Sequence, residues 1–257
     1  MTMSYKVGLI GMIGEQLKQD RWGTLKMLAD YGYQGIEGKV IISENQQELK
    51  DNRKRLNDMG LEVIALSCSQ QTPEKLDGVI EDAHALGAGL IVTYWGPAES
   101  DEQLLRDAAT MEKMAEKCDA AGLKYCYHNH EHEFKPRFGK KGNECAHEIL
   151  FNNTQKLCFE LDIAWCHFGG SDPVRVLRRI GHRVPIIHVK DLSDDNVRGH
   201  FSAVGLGKVN CFGAIEAAAA KGCKWMVVEQ DKPNNLTHWE SAIASILNIR
   251  EAGLLIR

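Results

Sequence analysis

The chain has 257 residues, 44% hydrophobic and 26% charged, which suits one globular, barrel-sized domain of about 250 residues. Its formal net charge of −4, with no Lys/Arg block, argues against a nucleic-acid surface. No apolar run reaches the roughly 18 residues of a membrane helix, and eight cysteines without a C-x-x-C pair argue against structural zinc or a disulfide frame. Free buried thiols in a reducing compartment are expected instead. Residues 1–12 lack the length and basic start of an export signal, so a soluble, cytoplasmic chain is the expectation.

Short apolar runs alternate with longer amphipathic stretches along the whole chain. The runs at 6–10, 35–38, 62–67, 90–94, 124–128, 157–162, 185–190 and 225–229 read as strands. The stretches at 21–31, 45–59, 73–86, 101–121, 146–151, 172–180, 212–221 and 238–251 read as helices. Gly60, Gly87, Gly122, Gly222 and Gly253 stand just past helix ends, where a left-handed residue closes the last turn. Strands such as IVTYW (91–95) and PIIHVK (185–190) are continuously apolar rather than strictly alternating. A strand buried on both faces reads that way, which implies a parallel sheet covered by helices. Eight such repeats predict a (β/α)8 TIM barrel spanning 1–257 as a single domain. The structural alternative is an open doubly wound sheet, which favours a glycine-rich phosphate turn after its first strand. Gly8, Gly11 and Gly14 occur as GLIGMIG, which does not fit G-x-G-x-x-G. The longest connections, 131–145 and 192–210, both follow strands, and so belong to the C-terminal face of a barrel.

Chemistry-bearing residues gather at strand ends. YHNHEHEF (127–134) places three histidines and two glutamates directly after the fifth strand. Because side chains alternate, His128 and His130 share a face and Asn129 points away. The sixth strand ends CFELD, with Glu160 and Asp162 on one face. The seventh reads IIHVKD, with His188 and Lys190 together, and the eighth ends at Glu229. In a barrel these ends converge on one pocket. Asp162, His188 and Glu229, with His128 or Glu133, make a mixed nitrogen and oxygen set suited to Mn²⁺, Co²⁺, Mg²⁺ or Zn²⁺. Other positions carry two readings. Glu37 either binds a substrate hydroxyl or makes a buried salt bridge. Lys190 either stabilises an oxyanion or phosphate, or pairs with Asp162 or Glu160. His130 is an acid/base or a loop hydrogen-bonder. Gly205-Leu206-Gly207 reads more readily as a plain turn than as a phosphate turn. Cys166 beside His167 lacks any supporting oxyanion motif.

Six segments together resemble the xylose isomerase-like barrel superfamily: YGYQGIEG (31–38), YHNHEHEF (127–134), LDIAWCHFGGSDPVRVL (161–177), RVPIIHVKDL (183–192), VGLGKVNCF (204–212) and VVEQ (227–230). That superfamily includes sugar-phosphate isomerases/epimerases, inosose dehydratases, ketose 3-epimerases and endonuclease IV. The resemblance implies one metal held by a carboxylate from strand five, an Asp from six, a His from seven and a Glu from eight. The last three carry over to Asp162, His188 and Glu229. His128 stands where many relatives have Glu, which leaves the fourth ligand between His128 and Glu133. Trp165 stands where many relatives have His, and with the acidic balance this counts against DNA cleavage. The resemblance further implies a small-molecule sugar or sugar-phosphate substrate, with Trp95 and Trp165 either walling its ring or packing in the core. It implies proton abstraction beside a carbonyl through an enediolate, with Glu229 as base and His128, Glu133 or His130 returning the proton. An isomerase or epimerase is the first expectation, and a keto-inositol or 3-keto-glycoside lyase or a non-catalytic sugar-binding barrel the alternatives. Relatives of this kind are often homo-oligomers.

Overall fold

The computed structural model describes residues 5–38, 43 and 45–255. Its strands and helices alternate in chain order: β1 (Lys6–Ile10), α1 (Gly14–Gln19), α2 (Arg21–Tyr31), β2 (Gly35–Glu37), α3 (Gln46–Asp58), β3 (Glu62–Val63), β4 (Ala65–Cys68), α4 (Asp77–Leu86), β5 (Leu90–Thr93), α5 (Asp101–Ala120), β6 (Lys124–His128), α6 (Ala146–Asn152), β7 (Cys158–Asp162), α7 (Ile163–Phe168), α8 (Pro173–Ile180), β8 (Ile186–Val189), β9 (Asp191–Leu192), β10 (Phe201–Ser202), α9 (Cys211–Ala219), β11 (Trp225–Val228) and α10 (His238–Glu251). The main sheet runs β3-β2-β1-β11-β8-β7-β6-β5-β4, every pair parallel. β3 and β4 are consecutive segments divided only by Ile64, whose N–H donates to the Ile36 carbonyl. The two ends of the sheet are therefore one strand, and the ring closes there. The expected barrel and its eight strand positions are present.

Burial on both strand faces divides the core in two. Inside the ring, Ile64, Ala65, Leu90, Val92, Cys126, Cys158, Ile186 and Val227 form a cluster of their own. Outside, a larger cluster lies between strands and helices, with Leu9, Leu28, Tyr125, Phe159, Leu161 and Ile246 among its members. Burying each large aliphatic side chain contributes about 1.5–3 kcal/mol, so the two layers together fix which way each strand faces. Gly8 and Gly35 make room for the inner layer. A Cβ on Gly8 would lie 2.2 Å from Ile64 Cδ1, and one on Gly35 would lie 2.7 Å from Ile64 Cγ1 and 2.8 Å from the Trp225 ring.

Local chemistry sets the helix starts. Ser100 caps α5, Asp172 caps α8 ahead of Pro173, and Thr237 with Glu240 forms a capping box on α10. α1 and α7 were not among the expected helices. α1 buries none of its residues and so has no apolar stripe to read. α7 is six residues starting immediately after β7, where the apolar run simply continues. The long connection after β8 also carries a small antiparallel ribbon, β9 with β10. All eight cysteines are buried, and none is joined in a disulfide. Among the described residues no helix is long and apolar enough to cross a membrane.

Candidate active site

The later barrel strands deliver the charged side chains. Parallel register pairs His128 with Glu160 across β6 and β7, and Asp162 with His188 across β7 and β8. Glu229 follows Val228, which pairs with Val189. Ligand atoms of His128, Asp162, His188 and Glu229 thereby come within 4.8 Å of one another. A second overlapping group, Glu37, Glu160 and His188, meets the same limit. Of the two expected candidates for the fourth place, the structure brings in His128.

Hydrogen bonds knit the two groups together. His128 Nδ1 lies 2.8 Å from Glu160 Oε1. His188 Nδ1 lies 3.0 Å from Glu229 Oε2, and its Nε2 lies 3.0 Å from Glu37 Oε2 and 3.1 Å from Glu160 Oε1. Lys190, with a fully buried side chain, reaches Asp162 at 3.0 Å, Glu229 at 2.7 Å and Asp231 at 2.7 Å. The Asp162 Oδ1 atom accepts from the Trp165 N–H at 2.9 Å and so also caps α7. Asn129, turned away from the cavity as expected, bonds the backbone of Asp162 in both directions and ties β6 to β7.

These contacts decide the charge states. Burial alone would lower His188, but the carboxylates of Glu160, Glu37 and Glu229 outweigh it and hold the imidazole well above its usual range. Burial would raise Glu229, yet Lys190 and His188 hold it well below the carboxylate range. Burial and the neighbouring Glu160 charge push Glu37 up to about 8. Glu160, equally buried, is pulled down to about 2 by His188 and His128. Burial and then His128 lower His130 to about 4, so it is neutral at ordinary pH.

Divalent-cation chemistry fits this donor set. Glu37, Glu160, Asp162, Glu229 and Asp231 cluster around one ammonium and one charged imidazole. Negative charge is in excess even with Glu37 protonated, and two imidazoles and two carboxylates converge without any thiolate. The cluster borders a cavity of about 360 Å³ lined in part by Glu37, Tyr94, His128, His130, Glu160, His188 and Glu229. An adjoining hollow of about 590 Å³ shares Ile10, Glu37 and Ser67 with it. Together they suit a small polar ligand.

A family model described as xylose isomerase-like TIM barrel matches residues 25–250. The chain belongs to that family. An inosose dehydratase from Geobacillus kaustophilus (strain HTA426) is 24% identical over 274 aligned positions, covering 88% of this chain and 84% of that protein. A crystal structure of a sugar phosphate isomerase/epimerase from Parabacteroides distasonis ATCC 8503 superposes with a TM-score of 0.81 at 23% identity, covering 98% of this chain and 96% of the other. The IolI protein, solved with a zinc atom bound, superposes with a TM-score of 0.72 at 16% identity, covering 98% and 99%.

Several expected roles of this family member move once its geometry is known. Glu133 lies outside the cluster, with its carboxylate held by the Tyr127 hydroxyl, the His130 N–H and His132. Tyr127 alternates outward from His128, so Glu133 is anchored on the outer side of β6. Lys190 is turned away from the cavity, with an acceptor for each of its three donors already in place. Its pairing reading is the one realised, with Asp162 but with Glu229 and Asp231 rather than Glu160. Trp95 borders a separate, water-sized pocket beside Glu133. Trp165 is buried against Phe201 and Phe168, with Lys190 and Arg198 over its ring. Neither tryptophan walls the central cavity; the half-exposed Tyr94 does, its ring 4.3 Å from that of His130. Glu37 lines the cavity and pairs with His188.

The Gly205–Gly207 turn is already filled. Asp191 accepts from the N–H groups of Gly205, Gly207 and Val209, and a Cβ on Gly207 would lie 2.3 Å from its Oδ1. No phosphate can use those donors while the Asp191 carboxylate does. Cys166 donates to the Ser171 carbonyl and its thiol is pushed well up by burial, while His167 faces Asp195 at 3.6 Å. They form no nucleophile pair. The two long loops are clasped by Glu131 and Arg198 at 2.7 Å, above Trp165.

Proposed function

We propose that this chain is a metal-dependent enzyme that removes a proton from carbon beside a carbonyl of a sugar or related polyol, with isomerisation or epimerisation as its first reading. The convergence of His128, Asp162, His188 and Glu229 beside the cavity carries the proposal. His128, Asp162, His188 and Glu229 would hold a divalent ion, which would supply Lewis-acid stabilisation of negative charge on oxygen. Lys190 bridges Asp162 and Glu229 and favours their ionised forms, against the burial that raises Asp162. His130 and Tyr94 line the cavity, and His130, a neutral imidazole at ordinary pH, is the group that would accept or return a proton. Glu229, held as an anion by two cations, is a stronger ligand than base, which shifts the proton-transfer role toward His130. Dehydration is the second reading, favoured by the inosose dehydratase that matches 88% of the chain.

The test is solvent deuterium uptake by a panel of aldoses, ketoses and keto-inositols, free and phosphorylated, with Mn²⁺, Co²⁺, Mg²⁺ or Zn²⁺ added. Label at the carbon beside the carbonyl is expected, and the product separates the readings: an isomer or epimer for the first, loss of water for the second. Absence of label across the panel, with every metal, would overturn both in favour of a sugar-binding barrel without turnover.

A further inference from the structure

We infer that Glu160 is the positioning residue of this centre: one buried carboxylate that orients both histidines as ligands. The inference rests on the metal reading of the cluster above. β7 carries two carboxylates on its inner face one pleat apart, Glu160 opposite His128 and Asp162 opposite His188. Glu160 is 1% exposed. Its Oε1 atom lies 2.8 Å from Nδ1 of His128 and 3.1 Å from Nε2 of His188, whose ring centroids are 4.8 Å apart. A single oxygen thus serves two imidazoles on two different strands.

The consequence is a choice of ligand atoms. An ionised carboxylate only accepts, so each imidazole must turn an N–H toward it. His128 is thereby left with Nε2 as its free lone pair. His188, whose Nε2 faces Glu160 and Glu37, would bind through Nδ1, the atom beside Glu229, which would give up its proton on binding a metal. Histidines that bind metals generally donate their other N–H to a carboxylate or carbonyl, and losing such a partner costs about 10–100-fold in affinity. Here both donate to the same group. Of the two histidines Glu37 meets only His188, at 3.0 Å, so it supports one imidazole where Glu160 supports both.

Zn²⁺ affinity of the full chain, measured by competition with a chromophoric chelator, tests the inference. Glu160→Gln keeps the shape and removes the charge, and is expected to weaken Zn²⁺ binding roughly 10–100-fold. Glu37→Gln is expected to weaken it less. Long-range ¹H–¹⁵N NMR of the imidazoles in the Zn²⁺-loaded protein is expected to show the proton on Nδ1 of His128 and on Nε2 of His188. The Glu160→Gln variant loses that fixed pattern. The NMR arm needs no variant, so the inference stays testable if Glu160→Gln fails to fold. Equal affinity in wild type and Glu160→Gln overturns the inference while leaving the metal reading intact. So does the opposite tautomer pair, or a zinc-loaded crystal structure with Glu160 itself at bonding distance. A wild-type protein that binds no divalent ion overturns the metal reading and this inference together.

Discussion

Two residues along each strand separate the inside of this barrel into a hydrocarbon floor and a charged rim. On β6 the step runs from Cys126 to His128, on β7 from Cys158 to Glu160, on β8 from Ile186 to His188, and beside β11 from Val227 to Glu229. The step is about 6.6 Å, two residues of strand rise. Both levels are largely closed to solvent, so burial alone does not distinguish them. What differs is the neighbour each residue meets. Floor residues meet one another, and rim residues meet opposite charges from adjacent strands. The floor seals the cluster from below and keeps its surroundings poorly polarisable, which strengthens every interaction on the rim.

Substitution at Glu229 tests the contrast most severely. Glu229→Gln keeps the volume but removes the anion held by Lys190 and His188. Turnover is expected to fall at least about 10³-fold, or roughly 4 kcal/mol of transition-state stabilisation, with the fold retained but the melting temperature lowered, because Lys190 and His188 each lose a charge partner. Steady-state rates on a substrate found by the deuterium screen, with a thermal melt beside them, measure both. Near-wild-type turnover would remove Glu229 from the chemistry and leave the rim as a structural ion cluster.

The floor answers differently to the same kind of change. Ile186 is fully buried, and Ile186→Ala opens a void two residues below the site. It is expected to cost about 2–5 kcal/mol of stability in urea unfolding, with Zn²⁺ affinity falling less than in the rim variants. A stable Ile186→Ala protein that no longer binds metal would erase the distinction between the two levels.

How much of this was legible beforehand follows from the same layering. Eight continuously apolar strands and their helices were plain, because burial on both faces writes itself into composition. The strand-end positions Asp162, His188 and Glu229 were legible because charge at the end of an apolar parallel strand is costly without a purpose, whereas the fourth place stayed open between His128 and Glu133. Contacts between strands were not. Glu160 was visible only as a neighbour of Asp162, and its place opposite His128 depends on register, which no local pattern records. Lys190 carried two readings until the three carboxylates around it settled its direction. Tyr94 read as part of an apolar strand, and the step that turns it onto the cavity mouth lies in the loop that follows. Asp191 read as part of a motif, while its real task, holding the backbone of the glycine turn, depends on residues up to 18 positions away.

A second buried imidazole sharpens the comparison with the smallest expected effect. His147, on α6, is as buried as His188 but lies between the rings of Phe134 and Phe159, at 4.6 and 4.8 Å, with neither nitrogen partnered. Burial, and then Arg179 and Arg183, lower it to about 3. Its folded value is thus below the unfolded value of about 6.5, so the unfolded chain binds the proton first. The associated stability is present above about pH 6.5 and is lost as pH falls through the window from there to about 3, at about 1.4 kcal/mol per unit. Between pH 7.5 and pH 5 the wild type is expected to lose about 2 kcal/mol from this group alone. His147→Leu removes the proton and keeps the packing, so the stability difference between variant and wild type should shift by that amount in favour of the variant. Urea unfolding of both proteins at the two pH values measures the shift. A difference that stays constant with pH would mean that His147 meets a partner the aromatic slot does not show, and that the split between neutral and charged imidazoles in this barrel is narrower than its geometry indicates.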